Sequence, residues 1–255
     1  MNIQNILLFI LGSFYFMLII WLGQADTDKT RRKWMNRGGL YFRILRYIFR
    51  NRIHFTGKNE PFTYSGITIL NANHTHNLDN LVLLACYPGQ LEEVASISTL
   101  ENTGRLDKKI LYLNTAITLE KKNITNFIPE FHSKIKQYKR RAYPTTIITY
   151  FEGVALNHLK GDPFYPHIGK PQYLAFQMLA EAFPGKPFYD FTLRYRKSNG
   201  NILHFHDPYF LWHLISDAKI YIHQRICTFP VKGDSNPNTY LDHLYQEKNT
   251  ILHDL

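Results

Sequence analysis

Strand-like and helix-like segments alternate along this chain from residue 52 to the carboxyl terminus. Short β-branched and apolar runs are typical of strands, and apolar residues at spacings of three and four predict helices. This alternation predicts an α/β fold with a mixed, mostly parallel sheet flanked by helices. The predicted strands are residues 53–56, 67–70, 94–100, 145–150 and 188–195, with a late antiparallel edge from 202–206 and 219–225; the predicted helices are residues 78–86, 124–139, 173–182 and 238–255.

The size of the chain limits how many such domains it can hold. The chain has 255 residues, 45% of them hydrophobic, which is enough for one sizeable core and not clearly enough for two. We therefore predict one domain at 53–255, preceded by appendages. Cys86 and Cys227 both lie in apolar runs, so we expect buried, reduced thiols and no disulfide.

Residues 6–22 form an apolar stretch broken only by Gly12 and Ser13. A helix of this length measures about 25 Å and the hydrocarbon core about 30 Å, so it could just span a bilayer or embed in one leaflet. A cleaved signal peptide is the main alternative, but no Lys or Arg precedes the stretch. The positive charges follow it, which puts the rest of the chain in the cytosol. We predict a membrane anchor at 1–24, with the endoplasmic reticulum as one possible site.

A basic amphipathic segment follows at 25–52. Arg43, Arg46 and Arg50 recur at spacings of three and four, so a helix gathers them on one face with apolar residues on the others. The chain carries a net charge of +10, which favours anionic partners. Two interpretations stay open: an interfacial helix against anionic lipid, or an amphipathic helix packed on the domain. The neighbouring apolar stretch argues against nucleic acid as the partner.

The segment at 73–79 reads Asn-His-Thr-His-Asn-Leu-Asp and follows the strand predicted at 67–70. It places His74 and Asp79 five positions apart, and a tight turn can fold the aspartate back onto the histidine. A histidine held by a carboxylate at one ring nitrogen can take a proton from a hydroxyl with the other. The sequence therefore predicts a dyad in which His74 is the general base and Asp79 orients it.

The same segment also allows a metal interpretation. His74, His76 and Asp79 could hold zinc for hydrolysis, and His204 with His206 could complete a cluster. The metallo-hydrolase pattern H-x-H-x-D-H would need aspartate at 78 and histidine at 79, where this chain has leucine and aspartate. Alternation along a strand explains the later histidines equally well. We therefore predict no metal site and keep a zinc hydrolase as the weaker alternative.

The order of the motifs resembles the glycerolipid acyltransferases, which include the lysophosphatidic-acid acyltransferases. His-x4-Asp at 74–79 comes first, Phe-Glu-Gly at 151–153 follows a later predicted strand, and 188–195 reads Phe-Tyr-Asp-Phe-Thr-Leu-Arg-Tyr. The last of these is similar to a strand of the eukaryotic lysocardiolipin and lysophosphatidylglycerol acyltransferase branch. The resemblance runs from about residue 55 to the carboxyl terminus and implies an acyltransferase domain with a C-terminal helix at 53–255.

That resemblance implies a membrane-bound enzyme that moves an acyl chain from acyl-CoA to the free hydroxyl of a lysophospholipid or acylglycerol phosphate. Acyl-CoA would be a co-substrate, and no cofactor is expected. His74 would be the base, while Glu152 and Gly153 would contribute to binding the acceptor's phosphate. Lys121 or Lys122 stands where the family usually presents an arginine to that phosphate. Lysine supplies the charge but not a two-pronged fork.

Two departures from the family pattern motivate a second hypothesis, although the intact dyad argues against it. Phe151 replaces the usual proline and Val154 the usual threonine, so a hydroxyl that could touch phosphate is missing. A catalytically inactive membrane scaffold that only binds phospholipid is therefore the second hypothesis. A serine hydrolase is not supported, because the chain has no G-x-S-x-G elbow.

Overall fold

The computed structural model describes residues 3–23, 27–57, 66–75, 79–86, 94–99, 117–119, 124–142, 144–152, 168–204, 207–231, 233 and 236–255. Helices and strands alternate along these residues, as the sequence predicts. The helices are α1 (Ile3–Leu22), α2 (Asp28–Phe49), α3 (Asp79–Cys86), α4 (Ile124–Lys139), α5 (Tyr173–Ala182), α6 (Phe210–Ser216) and α7 (Pro237–Asp254). The strands are β1 (Ile53–Gly57), β2 (Ile67–Ala72), β3 (Val94–Thr99), β4 (Ile117–Leu119), β5 (Thr145–Thr149), β6 (Pro187–Arg196) and β7 (Lys219–Thr228).

The described strands form one sheet in the order β1-β7-β6-β2-β5-β3-β4. Five of them, from β6 to β4, run parallel to one another, whereas β7 is antiparallel to β6 and parallel to β1. The prediction of a mixed, mostly parallel sheet is therefore confirmed. Because β2 and β5 are parallel neighbours that end at the same level, the loops that follow them meet at one edge of the sheet, beside the second half of β6.

Alternate side chains of each strand point to opposite faces of the sheet and pack against two different layers of helices. Leu70 and Ala72 of β2 pack in a core shared with α2, α3 and α6, whereas Ile69 packs in a second core shared with α4, α5 and α7. Successive residues of a strand point to opposite faces, so an α/β/α sandwich needs apolar residues at both parities. This explains why β2 and β5 are buried at both parities.

Helices α1 and α2 form an antiparallel hairpin. Gly12 lies against Tyr41, and the Tyr15 hydroxyl donates to the Arg37 carbonyl oxygen at 3.2 Å, so positions later in α1 meet positions earlier in α2. Within the described residues α1 is the helix long and apolar enough to cross a membrane, and little of it is buried.

Helix α2 presents different faces to the domain and to solvent. Leu45, Ile48 and Phe49 are buried in the core that α2 shares with α3, while Arg43 and Arg46 are exposed. The apolar face of the predicted amphipathic helix thus packs on the domain. Its arginines stay available to an external partner.

The late part of the chain differs from the predicted antiparallel edge. Ile202 makes a single isolated bridge to Arg196, and residues 203–204 have no strand conformation. Strand β7 pairs with β6 along its length and lies inside the sheet, because β1 adds in parallel on its other side. The strand predicted at 219–225 is confirmed and is antiparallel to β6, but it does not form an edge. The strand predicted at 202–206 was wrong for the described residues 202–204, because short apolar alternation also fits a loop that buries Leu203.

Candidate active site

Asn73 ties the loop after β2 to the neighbouring strand β6. Its side-chain amide donates to the Leu193 carbonyl oxygen at 2.9 Å, and its side-chain oxygen accepts from the Leu193 N–H at 2.6 Å. The backbone N–H of Asn73 donates to the Phe191 carbonyl oxygen at 3.3 Å. Asn73 is fully buried, so the loop that carries His74 begins from a fixed point.

His74 and Asp79 lie within contact distance. His74 Nδ1 is 3.3 Å from Asp79 Oδ2, and the histidine side chain is 17% exposed while the aspartate is buried. When Nδ1 carries the proton and donates to the carboxylate, Nε2 is the nitrogen able to accept one.

Neutral donors hold the Asp79 carboxylate. The Thr75 backbone N–H donates to Oδ2 at 2.7 Å, the Thr75 hydroxyl reaches Oδ1 at 3.0 Å, and the Tyr195 hydroxyl donates to Oδ1 at 2.6 Å. Asp79 also begins α3, where the helix dipole favours a negative side chain. These donors hold the carboxylate in place without adding a positive charge beside it.

Tyr150 fixes the plane of the His74 ring from the end of β5. The two rings stack with centroids 4.2 Å apart and an interplanar angle of 25°. The Tyr150 hydroxyl donates to Asn80 Oδ1 at 2.8 Å. Burial, followed by the charges of Asp79 and Glu152, raises the pKa of Tyr150 well above its ordinary value, so the phenol remains neutral and keeps its donor.

Glu152 follows β5 and lies beside the same loop. The backbone N–H groups of His74 and Gly169 donate hydrogen bonds to its buried carboxylate, while Oε1 has no hydrogen-bond partner within the described ranges. Burial raises the pKa of Glu152 to about 7, against the opposing effects of the Lys248 ammonium, these N–H donors and the His74 charge. The two loops that the sequence singled out therefore meet at one edge of the sheet.

The structure brings three of the predicted site residues together: His74, Asp79 and Glu152. Gly153, Lys121 and Lys122 lie outside the described residues, and so does His76. His204 is exposed in the loop after β6, and His206 falls outside the described part of the chain. Among the residues that are described, no group of three or more His, Cys, Asp or Glu side chains is arranged to hold a metal.

Sequence reasoning missed Thr75, Tyr150 and Tyr195 as supports of the dyad. A signal for Tyr195 was present, because it closes the motif at 188–195 and shares strand parity with Phe191 and Leu193, whose side chains share the core with α3. Asp190 has the opposite parity and lies on the other face. Identifying the partner of Tyr195, however, needed the sheet order.

Comparison with known proteins bears on the fold. No protein-family model matches the sequence, and no curated protein matches it. The crystal structure of the 1-acyl-sn-glycerophosphate (LPA) acyltransferase PlsC from Thermotoga maritima is similar, with a TM-score of 0.51 and 16% sequence identity over 99% of this chain and 97% of that chain. At this identity the likeness shows a common fold over nearly the whole chain.

Proposed function

We propose that this protein is a membrane-bound acyltransferase that moves an acyl chain from acyl-CoA to the free hydroxyl of a lysophospholipid or acylglycerol phosphate. The observation that carries the proposal is the contact of His74 with Asp79 beside the buried Glu152 turn, residues 151–152. A fold similar to that of an LPA acyltransferase supports it. The same dyad argues against a scaffold that only binds phospholipid, since a scaffold has no need of a held imidazole.

In this mechanism His74 Nε2 removes the proton from the acceptor hydroxyl as its oxygen attacks the thioester carbonyl of acyl-CoA. Asp79 stabilises the imidazolium that forms and keeps the ring in the productive tautomer. The tetrahedral intermediate collapses with release of the CoA thiolate, which takes the proton from the imidazolium. Tyr150 and Asn73 keep the histidine in place during these steps, because they hold its ring and the start of its loop.

Binding of the acceptor is assigned to the region around the Glu152 turn. Glu152, Gly153 and one of Lys121 and Lys122 are the residues we propose for the phosphate. A carboxylate is not itself a phosphate ligand, so Glu152 acts by holding the backbone of His74, to which it is hydrogen-bonded. The lysines would supply the positive charge.

The helical hairpin fits an anchor that lies in one leaflet, with the domain on the cytosolic side. Helix α2 runs back along α1 and exposes Lys29, Lys33 and Arg37 on the part that pairs with the second half of α1. If α1 crossed the bilayer, α2 would carry these charges back into the membrane, where a Lys or Arg at the centre of the hydrocarbon costs about 2.5–3.5 kcal/mol. An embedded hairpin keeps them at the headgroups and brings the active site close to its lipid substrate.

An acyl-transfer assay tests the proposal. The full chain in detergent is given radiolabelled acyl-CoA and a panel of lysophospholipids, and lipid products are separated. We expect transfer to at least one acceptor, and we expect His74→Ala to lower the rate at least 100-fold, because general base catalysis contributes about 10²–10⁴-fold.

Lys136→Met, an exposed change on α4, is the control and should keep the wild-type rate. Retention of most of the activity by His74→Ala would refute His74 as the base. Binding of lysophospholipid without any transfer would favour the scaffold, and loss of activity on chelation would favour a metal hydrolase.

A further inference from the structure

Lys248 of α7 is a fully buried lysine. Its Nζ donates to Asp190 Oδ1 at 2.7 Å, both side chains are inaccessible to solvent, and the ammonium lies 5.1 Å from the ring centroid of Tyr245. A buried ion pair is often no more stabilising than apolar residues of the same volume, because both charges lose hydration. The pair therefore calls for an explanation other than stability.

Asp190 connects Lys248 to the strand that carries the site. Besides Lys248 it accepts from Asn71 Nδ2 at 2.6 Å and from Arg225 Nε at 2.8 Å. Asn71 lies on β2, two positions before Asn73, the residue that ties the His74 loop to β6. The Asp190 carboxylate of β6 thus joins α7, β7 and β2. It lies on the face of the sheet opposite to the dyad.

Asn71 carries the connection onward to the Glu152 turn. Its side-chain oxygen accepts the backbone N–H of Phe151 at 3.3 Å, in the buried interior. The orientation of this amide is fixed because its Nδ2 donates to Asp190. Loss of the positive charge of Lys248 or of Arg225 would loosen the Asp190 carboxylate. Asn71 could then rotate and would no longer hold the turn.

The Lys248 charge also acts directly on Glu152. Among the described residues, the titratable groups that face the Glu152 carboxylate are Lys248 and Tyr245 from α7, His74 from the loop after β2, and Tyr150 from the end of β5. The positive charge of Lys248 opposes the effect of burial on the Glu152 pKa and favours the ionised carboxylate that accepts the His74 N–H.

We propose that Lys248 is a positioning residue of the acyl-transfer site, which holds the Glu152 turn through Asp190 and Asn71. The inference rests on the proposed function and deepens it, since it places part of the acceptor site under the control of the last helix. Lys248 touches neither substrate nor the dyad and acts through the turn.

Steady-state kinetics of Lys248→Met test this proposal in the full chain. We expect kcat/KM for the lysophospholipid acceptor to fall at least tenfold while KM for acyl-CoA stays within twofold, because the turn serves the acceptor. The acidic limb of the pH–rate profile should move about one pH unit upward, since the lost charge no longer favours the carboxylate. Lys136→Met removes the same charge from an exposed position and should change neither parameter.

Two further variants keep the proposal testable if Lys248→Met is unstable. Lys248→Gln can still donate to Asp190 without a charge, so it should move the pH profile with a smaller loss in kcat/KM. Asp190→Asn combined with Lys248→Met should be no less active than Asp190→Asn alone, because both act through one network.

The outcomes separate the two proposals. Wild-type kinetics and an unmoved pH profile in Lys248→Met and Lys248→Gln, with the wild type active, would overturn the positioning role and leave the acyltransferase intact. A wild type that transfers no acyl chain to any acceptor would overturn both.

Discussion

At the scale of single residues, the site depends on how each charge is held. Asp79 is buried and stabilised by the neutral donors Thr75 and Tyr195, so its negative charge remains available to an imidazolium at His74. Glu152 is also buried, but it faces the Lys248 ammonium and accepts backbone N–H groups. The two carboxylates are therefore suited to different tasks, the first to catalysis and the second to holding the loop.

Tyr195→Phe removes the 2.6 Å hydrogen bond to Asp79 and leaves the ring in place. A hydrogen bond to a charged group contributes about 1.5–3 kcal/mol, so we expect kcat to fall about tenfold or more with little change in KM for acyl-CoA. Steady-state acyl transfer measures the effect. Tyr221→Phe on β7 is the control, and equal rates in the two variants would show that Tyr195 does not orient Asp79.

Glu152→Gln should alter the pH dependence of stability. The folded-state pKa of about 7 lies above the ordinary value of 4.5, so the folded chain binds more protons and loses stability as pH rises through this interval. The expected decrease in the free energy of unfolding is about 3 kcal/mol, and Glu152→Gln should lack it. Urea unfolding at pH 5 and pH 7.5 measures both proteins; the same pH slope in both would contradict the assignment.

At the scale of elements, the loops after the parallel neighbours β2 and β5 converge on one edge of the sheet, beside the second half of β6. Asn73 joins the first of these loops to β6, and the Glu152 turn extends from β5. The helical layer α2–α3 lies over the dyad face, whereas α7 supports the turn from the opposite face. The helices thus constrain the site from both sides without themselves carrying its base.

Deletion of residues 1–24 tests the hairpin as an anchor. We expect part of the protein to leave membranes, since α1 supplies most of the exposed apolar surface of the hairpin. Vesicle flotation measures the bound fraction, and sedimentation without vesicles controls for aggregation through the uncovered Tyr41 and Phe42. If all of the protein stayed on the membrane, the anchor would lie in the arginine face of α2. Substitution of Arg43, Arg46 and Arg50 by glutamine would then abolish membrane binding.

At the scale of the whole molecule, one sheet separates two apolar cores. Cys86 packs against the first core and Cys227 against the second. Burial raises the pKa of each thiol to about 12, and the charge of Asp190 adds to the rise at Cys227. Because both cores share the strands β2, β5 and β6, the loss of either one should disrupt the other.

Alkylation reports this coupling. We expect neither cysteine to react with iodoacetamide at pH 8 in the folded protein, because the reactive thiolate is suppressed. Across a urea series both should become reactive at the same concentration, since the shared sheet unfolds as a unit. Mass spectrometry of the labelled peptides measures each site. Labelling of one cysteine well before the other would show that the two cores unfold separately.

The sequence alone determined what depends on neighbouring positions in the chain. Strand and helix periodicity predicted most elements within a few residues, and the spacing of His74 and Asp79 predicted a contact that a single tight turn can close. Only the tertiary structure decided that Tyr195 reaches Asp79 and that Lys248 reaches Asp190. Those partners are 116 and 58 positions apart, and no local pattern encodes a pairing that requires the strand order and the face of each helix.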